Sequence, residues 1–359
     1  MLALLLLTLS AFAGVLKVHV MDVGQGDAVL IEAPGDKRVL IDAGTAGSKV
    51  ADKLLARGIT RLNLAVSTHP HADHIGGMSD VLKKIEVGRY MDNGMSHTTL
   101  TYSRTMGVVE RKGIGYVTAV NGRTLQLGDE VKLTIIHPRS SPLRGTRSDL
   151  NSNSVVIRMD HKDNCFLFTG DAEEPTERDM LNRGIEPCEV LKVAHHGSGH
   201  SSKSAFLRAV KPKYAAISAG DGNRYGHPDE EALARLKSAE VEVYRTDLSG
   251  TITFTSDGKT LKVTTEREGG DPFGDAVEVS ADTETSPAPS GPRININTAD
   301  AAALDALPGV GPSRAAAIVA HRKQKGQFKS CEALIDIYGI GPKTVANILP
   351  VCTTEEPAE

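Results

Sequence analysis

The 359-residue sequence has no tryptophan, and aromatic residues make up only 4% of it. A hydrophobic core must therefore be built mainly from Val, Ile, Leu and Ala. The net charge of -4 excludes a protein that is positive over its whole surface, but it is compatible with a local basic patch. Apolar and charged fractions are ordinary for a soluble globular protein, which argues against wholesale disorder. The length suffices for one large domain and a small one.

Long hydrophobic runs are also missing. The run from Leu2 to Leu9 is too short to cross a bilayer as a helix, and we expect no transmembrane channel in this chain. Ala11-Phe12-Ala13 has the small-x-small pattern of a signal-peptide cleavage site. We interpret residues 1–13 as a signal peptide and expect a secreted or cell-envelope protein. The alternative is a buried first strand or a misassigned start.

Cysteine is scarce. Cys165 and Cys188 lie in the larger part of the chain, and Cys331 and Cys352 lie near its C-terminus. Four cysteines allow three connectivities. An oxidising compartment would permit one disulfide per domain, Cys165–Cys188 and Cys331–Cys352. In a cytosolic protein, four buried thiols would be expected instead.

The composition divides the chain into parts. Residues 15–265 alternate apolar strands, Gly/Asp/His-rich turns and amphipathic helices, which predicts sheets covered by helices. Residues 266–292 have the composition of a flexible acidic linker. Residues 293–352 form an Ala-rich helical unit with Gly-Pro punctuation, and 353–359 form an acidic tail. Strands are predicted at 15–20, 29–31, 38–41, 62–67, 153–159, 165–169, 190–194, 214–218 and 250–255, and helices at 48–57, 204–210 and 229–239.

The strongest motif is STHPHADH at 67–74, directly after a predicted buried strand. It puts three imidazoles and a carboxylate on one loop, and these groups suit zinc, manganese or iron. His69 and His71 can point to one metal ion while Asp73 and His74 point to a second. The alternative is a polar loop that happens to be rich in histidine, but packing alone has no use for so many neighbouring imidazoles.

This HxHxDH pattern resembles the signature of the metallo-β-lactamase superfamily, and further segments match in the same order. VLIDAG at 39–44 resembles the strand-Asp-Gly motif, in which Asp42 would support the metal loop. LFTGD at 167–171 resembles the strand-Gly-Asp motif, in which Asp171 would bridge two metals. Taken alone, Asp171 could equally cap a turn. The resemblance implies an α/β fold, the αββα sandwich, holding one or two divalent ions, zinc or manganese.

Three more segments resemble the hydrolase domain of ComEC-type DNA-uptake proteins: MDVGQGD at 21–27, LKVAHHGS at 191–198 and RYGHP at 224–228. The resemblance covers essentially all of residues 15–265. It implies that one of His195 and His196 binds metal, and the sequence leaves open which one.

One position departs from the wider superfamily, where many members carry another metal-binding histidine before the bridging aspartate. Here Asn151 or Asn153 stands in its place. The first metal position is therefore expected to be weakly held, open or completed by water. Asn oxygens suit manganese or magnesium better than zinc. We assign Asn151, Asn153 and Ser198 to the support of the metal site.

The implied chemistry is hydrolysis by a metal-activated water. Asp73 would orient or deprotonate that water. His227 is the candidate that protonates the leaving oxygen, with Ser198 and Asn223 near it in the motifs. As a turn residue before Pro228, His227 has an equally good structural explanation.

Two similar segments mark the C-terminal unit, LPGVGPSRA at 307–315 and IYGIGPKTV at 337–345. Each Gly-x-Gly would expose backbone N–H groups at a helix start, which is a phosphate site, and a cation follows each. The predicted DNA contacts are Gly309, Gly311, Arg314, Gly339, Gly341 and Lys343. Residues 293–352 hold seven Arg and Lys against four Asp and Glu, so the unit is basic, as phosphate contact requires.

These paired segments, together with ININTA at 294–299, resemble the helix-hairpin-helix domain of ComEA-type DNA receptors. The resemblance implies a small all-α domain that binds the DNA backbone independently of sequence. A protein-binding helical module is the alternative.

The leading hypothesis is an exported, metal-dependent DNA nuclease, linked to DNA uptake (competence) or to degradation of extracellular DNA. The alternatives are an exported phosphoesterase with another substrate, such as cell-wall phosphocholine, and a non-catalytic DNA-binding protein with a vestigial metal fold. The intact His/Asp set argues against the last, and the C-terminal unit argues against the phosphoesterase. β-Lactam hydrolysis is poorly supported, because the segments after Asp171 are ComEC-like.

Overall fold

A computed structural model of the chain describes residues 14–273, 293–337, 340 and 342–354. The chain divides into two compact units, Met1–Ala276 and Val277–Glu359. The predicted signal peptide, residues 274–292 of the predicted linker and residues 355–359 of the predicted tail lie outside the described residues. Within the described parts of the chain, no helix combines the length and the apolarity needed to cross a membrane.

Short strands rich in Val, Ile and Leu build two sheets in the first unit. In chain order they are β1 (Leu16–Val20), β2 (Val29–Ala33), β3 (Lys37–Ile41), β4 (Arg61–Leu62), β5 (Leu64–Val66), β6 (Glu86–Val87), β7 (Arg89–Asp92), β8 (Gly115–Thr118), β9 (Thr124–Leu127), β10 (Val131–His137), β11 (Val156–His161), β12 (Asn164–Phe168), β13 (Val190–Lys192), β14 (Tyr214–Ile217), β15 (Glu242–Arg245), β16 (Ile252–Ser256) and β17 (Leu261–Thr265).

Both sheets are mixed. The first has the order β17-β16-β1-β2-β3-β5-β7-β8 and the second the order β15-β14-β13-β12-β11-β10-β9, while β4 and β6 form a separate pair. The strands β3, β5, β7 and β8 are parallel to one another, and so are β12, β13, β14 and β15. The other pairings within the two large sheets are antiparallel. Each sheet therefore has a parallel half, whose strand ends gather loops at one edge.

Helices cover the outer faces of the two sheets. They are α1 (Val50–Ala56), α2 (Ala72–Ile75), α3 (Met78–Lys84), α4 (Leu100–Arg111), α5 (Glu174–Asn182), α6 (Ser204–Val210), α7 (Glu230–Ser238) and α8 (Thr246–Ser249). Leu54 of α1, Val81 of α3 and Val108 of α4 are buried in one outer core, and Phe206 of α6 and Leu236 of α7 in the other. The helices predicted at 48–57, 204–210 and 229–239 correspond to α1, α6 and α7. The sequence did not predict the other helices of this unit, α2, α3, α4, α5 and α8.

A third core lies between the sheets, where Val18 and Ile31 of the first sheet pack with Ile157 and Phe166 of the second. The architecture is therefore the αββα sandwich, and the predicted fold class is confirmed. Several strand boundaries were wrong. The predicted strand 62–67 is divided into β4 and β5, and the predicted strand 190–194 ends at Lys192. The predicted strand 153–159 starts too early. The segment Asn151–Asn153 is a 3₁₀ turn and β11 begins only at Val156.

The second unit is small and mainly helical. It contains β18 (Ile294–Asn295), α9 (Ala301–Asp305), α10 (Gly311–Lys325), α11 (Pro342–Ile348) and β19 (Cys352–Thr353), with 3₁₀ turns at Cys331–Asp336 and Leu349–Val351. Asp300 caps α9 by accepting a hydrogen bond from the backbone N–H of Ala303 at 2.8 Å. Leu304, Ile318 and Ile348 are fully buried in its core.

Both predicted disulfides are present. Cys165 is bonded to Cys188 with a Cα–Cα distance of 5.0 Å, and Cys331 to Cys352 with 6.2 Å. The first ties β12 to the loop before β13, and the second ties a 3₁₀ turn to β19. None of the four cysteines is free.

Candidate metal centre

The predicted ligands come together where strands of both sheets end at one edge. Asp42 follows β3, the segment 67–74 follows β5, Asp171 follows β12, and the pair 195–196 follows β13. The carboxyl ends of neighbouring parallel strands meet at the same edge of a sheet, and that is where open α/β sheets place their ligands. The sandwich brings two such edges together.

Asp171 lies at the centre of the cluster, and its two oxygens face different histidines. Oδ1 is 3.1 Å from His74 Nε2 and 3.7 Å from His196 Nε2. Oδ2 is 3.6 Å from His69 Nε2 and 3.7 Å from His195 Nε2. One carboxylate shared between two pairs of imidazoles is the geometry of two adjacent ion positions.

The two remaining predicted ligands divide between these pairs. Asp73 Oδ2 is 3.5 Å from His196 Nε2, and Asp73 and His196 form a potential ligand group with His74. His71 Nδ1 is 2.9 Å from His69 Nε2. The pairing of His69 with His71, and of Asp73 with His74, is the division that the sequence predicts.

The residues present fit a divalent ion. Among the described residues, the buried atoms His74 Nε2, His196 Nε2 and Asp171 Oδ1 make no hydrogen bond of acceptable geometry, although Oδ1 lies 3.1 and 3.7 Å from the two nitrogens. Buried polar atoms without partners are rare and need an explanation. Two nitrogen or oxygen ligands of one tetrahedral zinc, each about 2.0–2.1 Å from the ion, lie roughly 3.3 Å apart. The 3.1–3.7 Å separations around Asp171 are close to that value.

Asp42 supports the metal loop from beneath. Its Oδ1 accepts a hydrogen bond from the backbone N–H of Thr68 at 2.8 Å, and its Oδ2 accepts from Thr68 Oγ1 at 2.7 Å. His74 Nδ1 lies 2.8 Å from the same Oδ2. A proton on Nδ1 facing this carboxylate leaves Nε2 of His74 free to bind a metal. Asp42 therefore fixes both the loop and the tautomer.

Both histidines of the pair after β13 face the cluster. His195 and His196 have φ values of 50° and 54°, a left-handed conformation that non-glycine residues adopt at a cost. Nδ1 of His196 donates to the carbonyl of Ser218 at 2.9 Å, and Nδ1 of His195 lies 3.4 Å from Glu173 Oε1. Each ring therefore directs Nε2 towards Asp171. Ser198 is buried beside them and its Oγ accepts from the N–H of His200 at 3.3 Å.

The two asparagines proposed for the missing histidine behave differently. Asn153 uses its whole amide on a loop, accepting from the N–H of Leu143 and donating to the carbonyls of Leu143 and Asp149. Asn151 donates from Nδ2 to Glu173 Oε1 at 3.2 Å, and its buried Oδ1 has no partner among the described residues. Of the two asparagines, only Asn151 therefore has a side-chain oxygen that is not already engaged in a hydrogen bond among the described residues.

Sequence reasoning missed an ion pair behind the cluster. The buried Lys192 Nζ lies 2.9 Å from Asp27 Oδ2, and Asp27 Oδ1 lies 3.3 Å from His196 Nδ1. A lysine inside the predicted strand 190–194 was the available signal, because a lysine in a strand of the interior needs a partner for its charge. Ser154 was also missed. Its Oγ lies 3.3 Å from His69 Nδ1 and accepts from the N–H of Asp171 at 3.2 Å.

Burial and charge act against each other on the imidazoles. Burial lowers the pKa of His69 well below its ordinary value. Burial also acts to lower the pKa of His74, but the carboxylates of Asp171, Asp42 and Asp73 outweigh it and raise that pKa well above 6.5. The pKa of His196 is raised to about 10, since Asp171 and Asp27 outweigh burial. Without an ion, the carboxylates therefore keep His74 and His196 protonated, and an ion that binds there must displace a proton.

His227 lies at the edge of this cluster. Its ring centroid is 5.7 Å from that of His195, and its Nδ1 lies 3.1 Å from Asp229 Oδ1. Asp229 in turn accepts a hydrogen bond from the backbone N–H of Gly199. The ring is oriented by a carboxylate and remains partly exposed, so it is placed to exchange a proton with a bound molecule.

In the second unit, the first hairpin has the predicted form. Gly309 and Gly311 have φ values of 75° and 54°. Gly309 lies between α9 and α10, and Gly311 is the first residue of α10. A side chain at Gly311 would meet no heavy atom of the described residues within 4 Å, so the surface there is open. Arg314 donates to the carbonyl of Gly309. Gly339 and Gly341 lie outside the described residues, and Lys343 is in the first turn of α11.

The chain is similar to several known proteins. It is 31% identical to ComE operon protein 3 of Bacillus subtilis over 260 residues, and the alignment covers 66% of this chain and 33% of that protein. It is also 31% identical to competence protein ComA of Neisseria gonorrhoeae over 242 residues, and this alignment covers 66% of the chain and 32% of that protein. The chain thus spans about a third of the length of these two relatives. ComE operon protein 1 of B. subtilis is 27% identical over 186 residues, 51% of this chain and 84% of that protein.

Two family profiles match the chain in the order that the sequence predicts. The helix-hairpin-helix motif matches residues 290–353. The metallo-beta-lactamase superfamily matches residues 21–221, which include all the predicted metal ligands. The chain carries a C-terminal helix-hairpin-helix motif and belongs to the metallo-beta-lactamase superfamily.

Proposed function

We propose that the protein is an exported, metal-dependent nuclease that hydrolyses phosphodiester bonds in DNA and holds the DNA backbone with its C-terminal unit. The observation that carries the proposal is the Asp171 carboxylate within 3.1–3.7 Å of four imidazole nitrogens, in a chain that also has a helix-hairpin-helix motif. The names of the relatives, competence and ComE operon proteins, support a connection with DNA uptake.

The metal would be held in two positions that share Asp171. His74 and His196 lie beside one of its oxygens, with Asp73 next to His196. His69 and His195 lie beside the other oxygen. His71 would join His69. We infer that His195 takes the role of the histidine absent at position 151, which leaves the asparagine there in a supporting place. A divalent ion, zinc or manganese, would supply an acidic water and neutralise charge on the phosphate.

Two side chains would move the protons. Asp73 is 27% exposed, which makes it the accessible carboxylate of the cluster, and it would accept a proton from the attacking water. His227 would donate a proton to the leaving oxygen, because Asp229 holds its Nδ1 and leaves Nε2 for the substrate. The burial of Asp171 and His74 keeps bulk water from competing for the ligand atoms.

Export is supported by the two disulfides, since such bonds persist in oxidising compartments and are rare in the cytosol. The apolar run and the Ala-Phe-Ala site at 11–13 remain the sequence basis for this part of the proposal. Sequencing the N-terminus of protein recovered from the culture medium or the cell envelope tests it. A cytosolic protein that starts at Met1 would contradict it.

The central experiment incubates purified protein with linear and circular DNA, with and without manganese or zinc. We expect cleavage only with metal, and no preference among unrelated sequences. A phosphocholine ester serves as the comparison substrate. Hydrolysis of that ester without cleavage of DNA would favour the exported phosphoesterase, and metal-dependent DNA binding without hydrolysis would favour the non-catalytic alternative.

The role of the C-terminal unit is tested separately. Removing residues 293–359 should raise the KM for long DNA and leave turnover of a small phosphodiester unchanged, because binding and chemistry would lie in different units. Arg314→Glu in the full chain should act in the same direction. DNA binding should weaken steeply with salt. If neither change affects the KM for long DNA, the unit binds something other than DNA.

A further inference from the structure

A row of rings leads from the metal centre to the protein surface. The ring of His195 beside Asp171 is followed by His227, with centroids 5.7 Å apart, and then by Tyr225, 6.0 Å from His227 and inclined by only 15° to it. The guanidinium carbon of Arg224 lies 4.9 Å from the centre of the Tyr225 ring. The row ends on Tyr225, whose surface is 51% exposed.

The loop that carries this tyrosine is held in shape by one side chain. Asn223 Oδ1 accepts hydrogen bonds from the backbone N–H groups of Tyr225 at 3.2 Å and His227 at 3.1 Å. Its Nδ2 donates to the carbonyl of Gly220 at 2.9 Å and to that of His227. The backbone that carries the tyrosine is therefore held in place before any ligand arrives, which reduces the ordering cost of binding.

The fold itself gives no reason for this exposed ring. Tyr116 is the instructive contrast, since it is also exposed, at 44%. Its hydroxyl donates to Asp92 at 2.7 Å and its ring stacks on the buried Tyr90, so it completes the packing of the first sheet. The ring and hydroxyl contacts of Tyr225, among the described residues, are with Arg224 and His227 of its own loop.

We propose that Tyr225 is a stacking surface for an unpaired base next to the phosphodiester bond that is cut, and that it directs the enzyme to single-stranded DNA or frayed ends. This inference rests on the proposed nuclease function. An aromatic face accepts any base, so stacking adds affinity without sequence preference. In an intact duplex each base is already stacked and paired, and presenting one to the tyrosine would cost its pairing. Arg224 beside the ring would meet the adjoining phosphate.

The placement ties recognition to chemistry. Because Tyr225 packs along His227, a nucleotide stacked on the tyrosine would bring its phosphate to the ring proposed as the proton donor. The next ring, His195, borders Asp171. Tyr225 is thus a specificity-determining residue and takes no part in the bond-breaking step.

The kinetic test uses the full-length protein with manganese and a single-stranded oligonucleotide, intact or with one abasic position moved along the strand. Tyr225→Ala should raise KM on the order of 10-fold for the intact strand. It should also abolish the penalty that one particular abasic position imposes on the unaltered protein. Tyr225→Leu should behave like the alanine variant, whereas Tyr225→Phe and Tyr225→Trp should keep the discrimination. Leu100→Ala, which removes another exposed apolar side chain (70% exposed), is the matched control and should change neither value.

Equal losses on intact and abasic strands would overturn the proposal, and so would a leucine variant that behaves like phenylalanine. A duplex of the same sequence should be cut more slowly than the single strand and should respond little to Tyr225→Ala. If the duplex is cut as fast as the single strand and responds equally, the preference for unpaired bases is wrong. A single-stranded RNA arm should show the same Tyr225 dependence of binding, because the base is common to both.

A binding readout separates this inference from the nuclease proposal. In chelator, without turnover, 2-aminopurine at the sensitive position should be quenched by the unaltered protein and far less by Tyr225→Ala. Identical quenching in both proteins would contradict stacking. If the unaltered protein quenches the probe but cuts no DNA with either metal, the nuclease function fails while the stacking site stands.

Discussion

The structure predicts that metal binding depends on Asp42, which orients both the metal loop and His74. Replacing Asp42 by Asn keeps the shape of the side chain but puts an NH₂ where an oxygen accepts. Oδ2 accepts from both Thr68 Oγ1 and His74 Nδ1, and Oδ1 accepts from the Thr68 N–H. The single amide oxygen of Asn cannot accept both from the Thr68 N–H on one side and from Thr68 Oγ1 and His74 Nδ1 on the other. Either the metal loop or the imidazole therefore loses its acceptor. If His74 moves its proton to Nε2, that nitrogen no longer binds metal.

The expected loss follows from this geometry. Removing a residue that orients a metal-binding histidine typically lowers metal affinity or activity about 10- to 100-fold, and we expect Asp42→Asn to fall in that range. Competition with a chromophoric chelator measures the affinity for zinc and manganese. Thermal unfolding of the metal-free protein reports any general loss of stability.

Asp92→Asn is the matched control. Asp92 is a buried aspartate at the end of another parallel strand of the same sheet, but it accepts from Gly94 N–H and Tyr116 Oη and contacts no histidine among the described residues. We expect it to affect stability and leave metal affinity unchanged. An Asp42→Asn protein that binds metal as tightly as the unaltered one would refute the reasoning. Equal weakening by both substitutions would do so as well.

Three further outcomes are expected. Chelation should abolish hydrolysis and Asp73→Ala should remove nearly all of it, and full activity in either case would exclude the metal mechanism. Metal affinity should rise with pH, because binding must displace protons from His74 and His196, whose pKa values are raised. Calorimetry in buffers of different ionisation enthalpy counts the protons released, and a pH-independent affinity would contradict this prediction. Replacing Cys331 and Cys352 with serine should lower the unfolding free energy of the second unit by roughly 3 kcal/mol, measured by denaturant titration, and a change near zero would show that the bond is not formed in solution.

Local sequence determined the parts of this protein whose chemistry lies in one short segment. The loop 67–74 carries four ligand side chains within eight residues, so the residue types and their spacing are enough to indicate a metal site. The first Gly-x-Gly hairpin is recognisable for the same reason, since it needs only two glycines in the left-handed conformation ahead of a helix. The helix at Ser204–Val210 follows from its apolar spacing.

Only the tertiary structure decided the relations between segments distant in sequence. Asn151 and Asn153 are equivalent in sequence, but the 3₁₀ turn gives Asn153 to the loop at Leu143 and leaves the oxygen of Asn151 unpaired among the described residues. The two adjacent histidines after β13 were likewise indistinguishable. Their left-handed backbone directs both towards Asp171, one to each carboxylate oxygen. Such choices depend on where the ends of β5, β12 and β13 meet across two sheets, and residues more than a hundred positions apart leave no local pattern from which that meeting could be read.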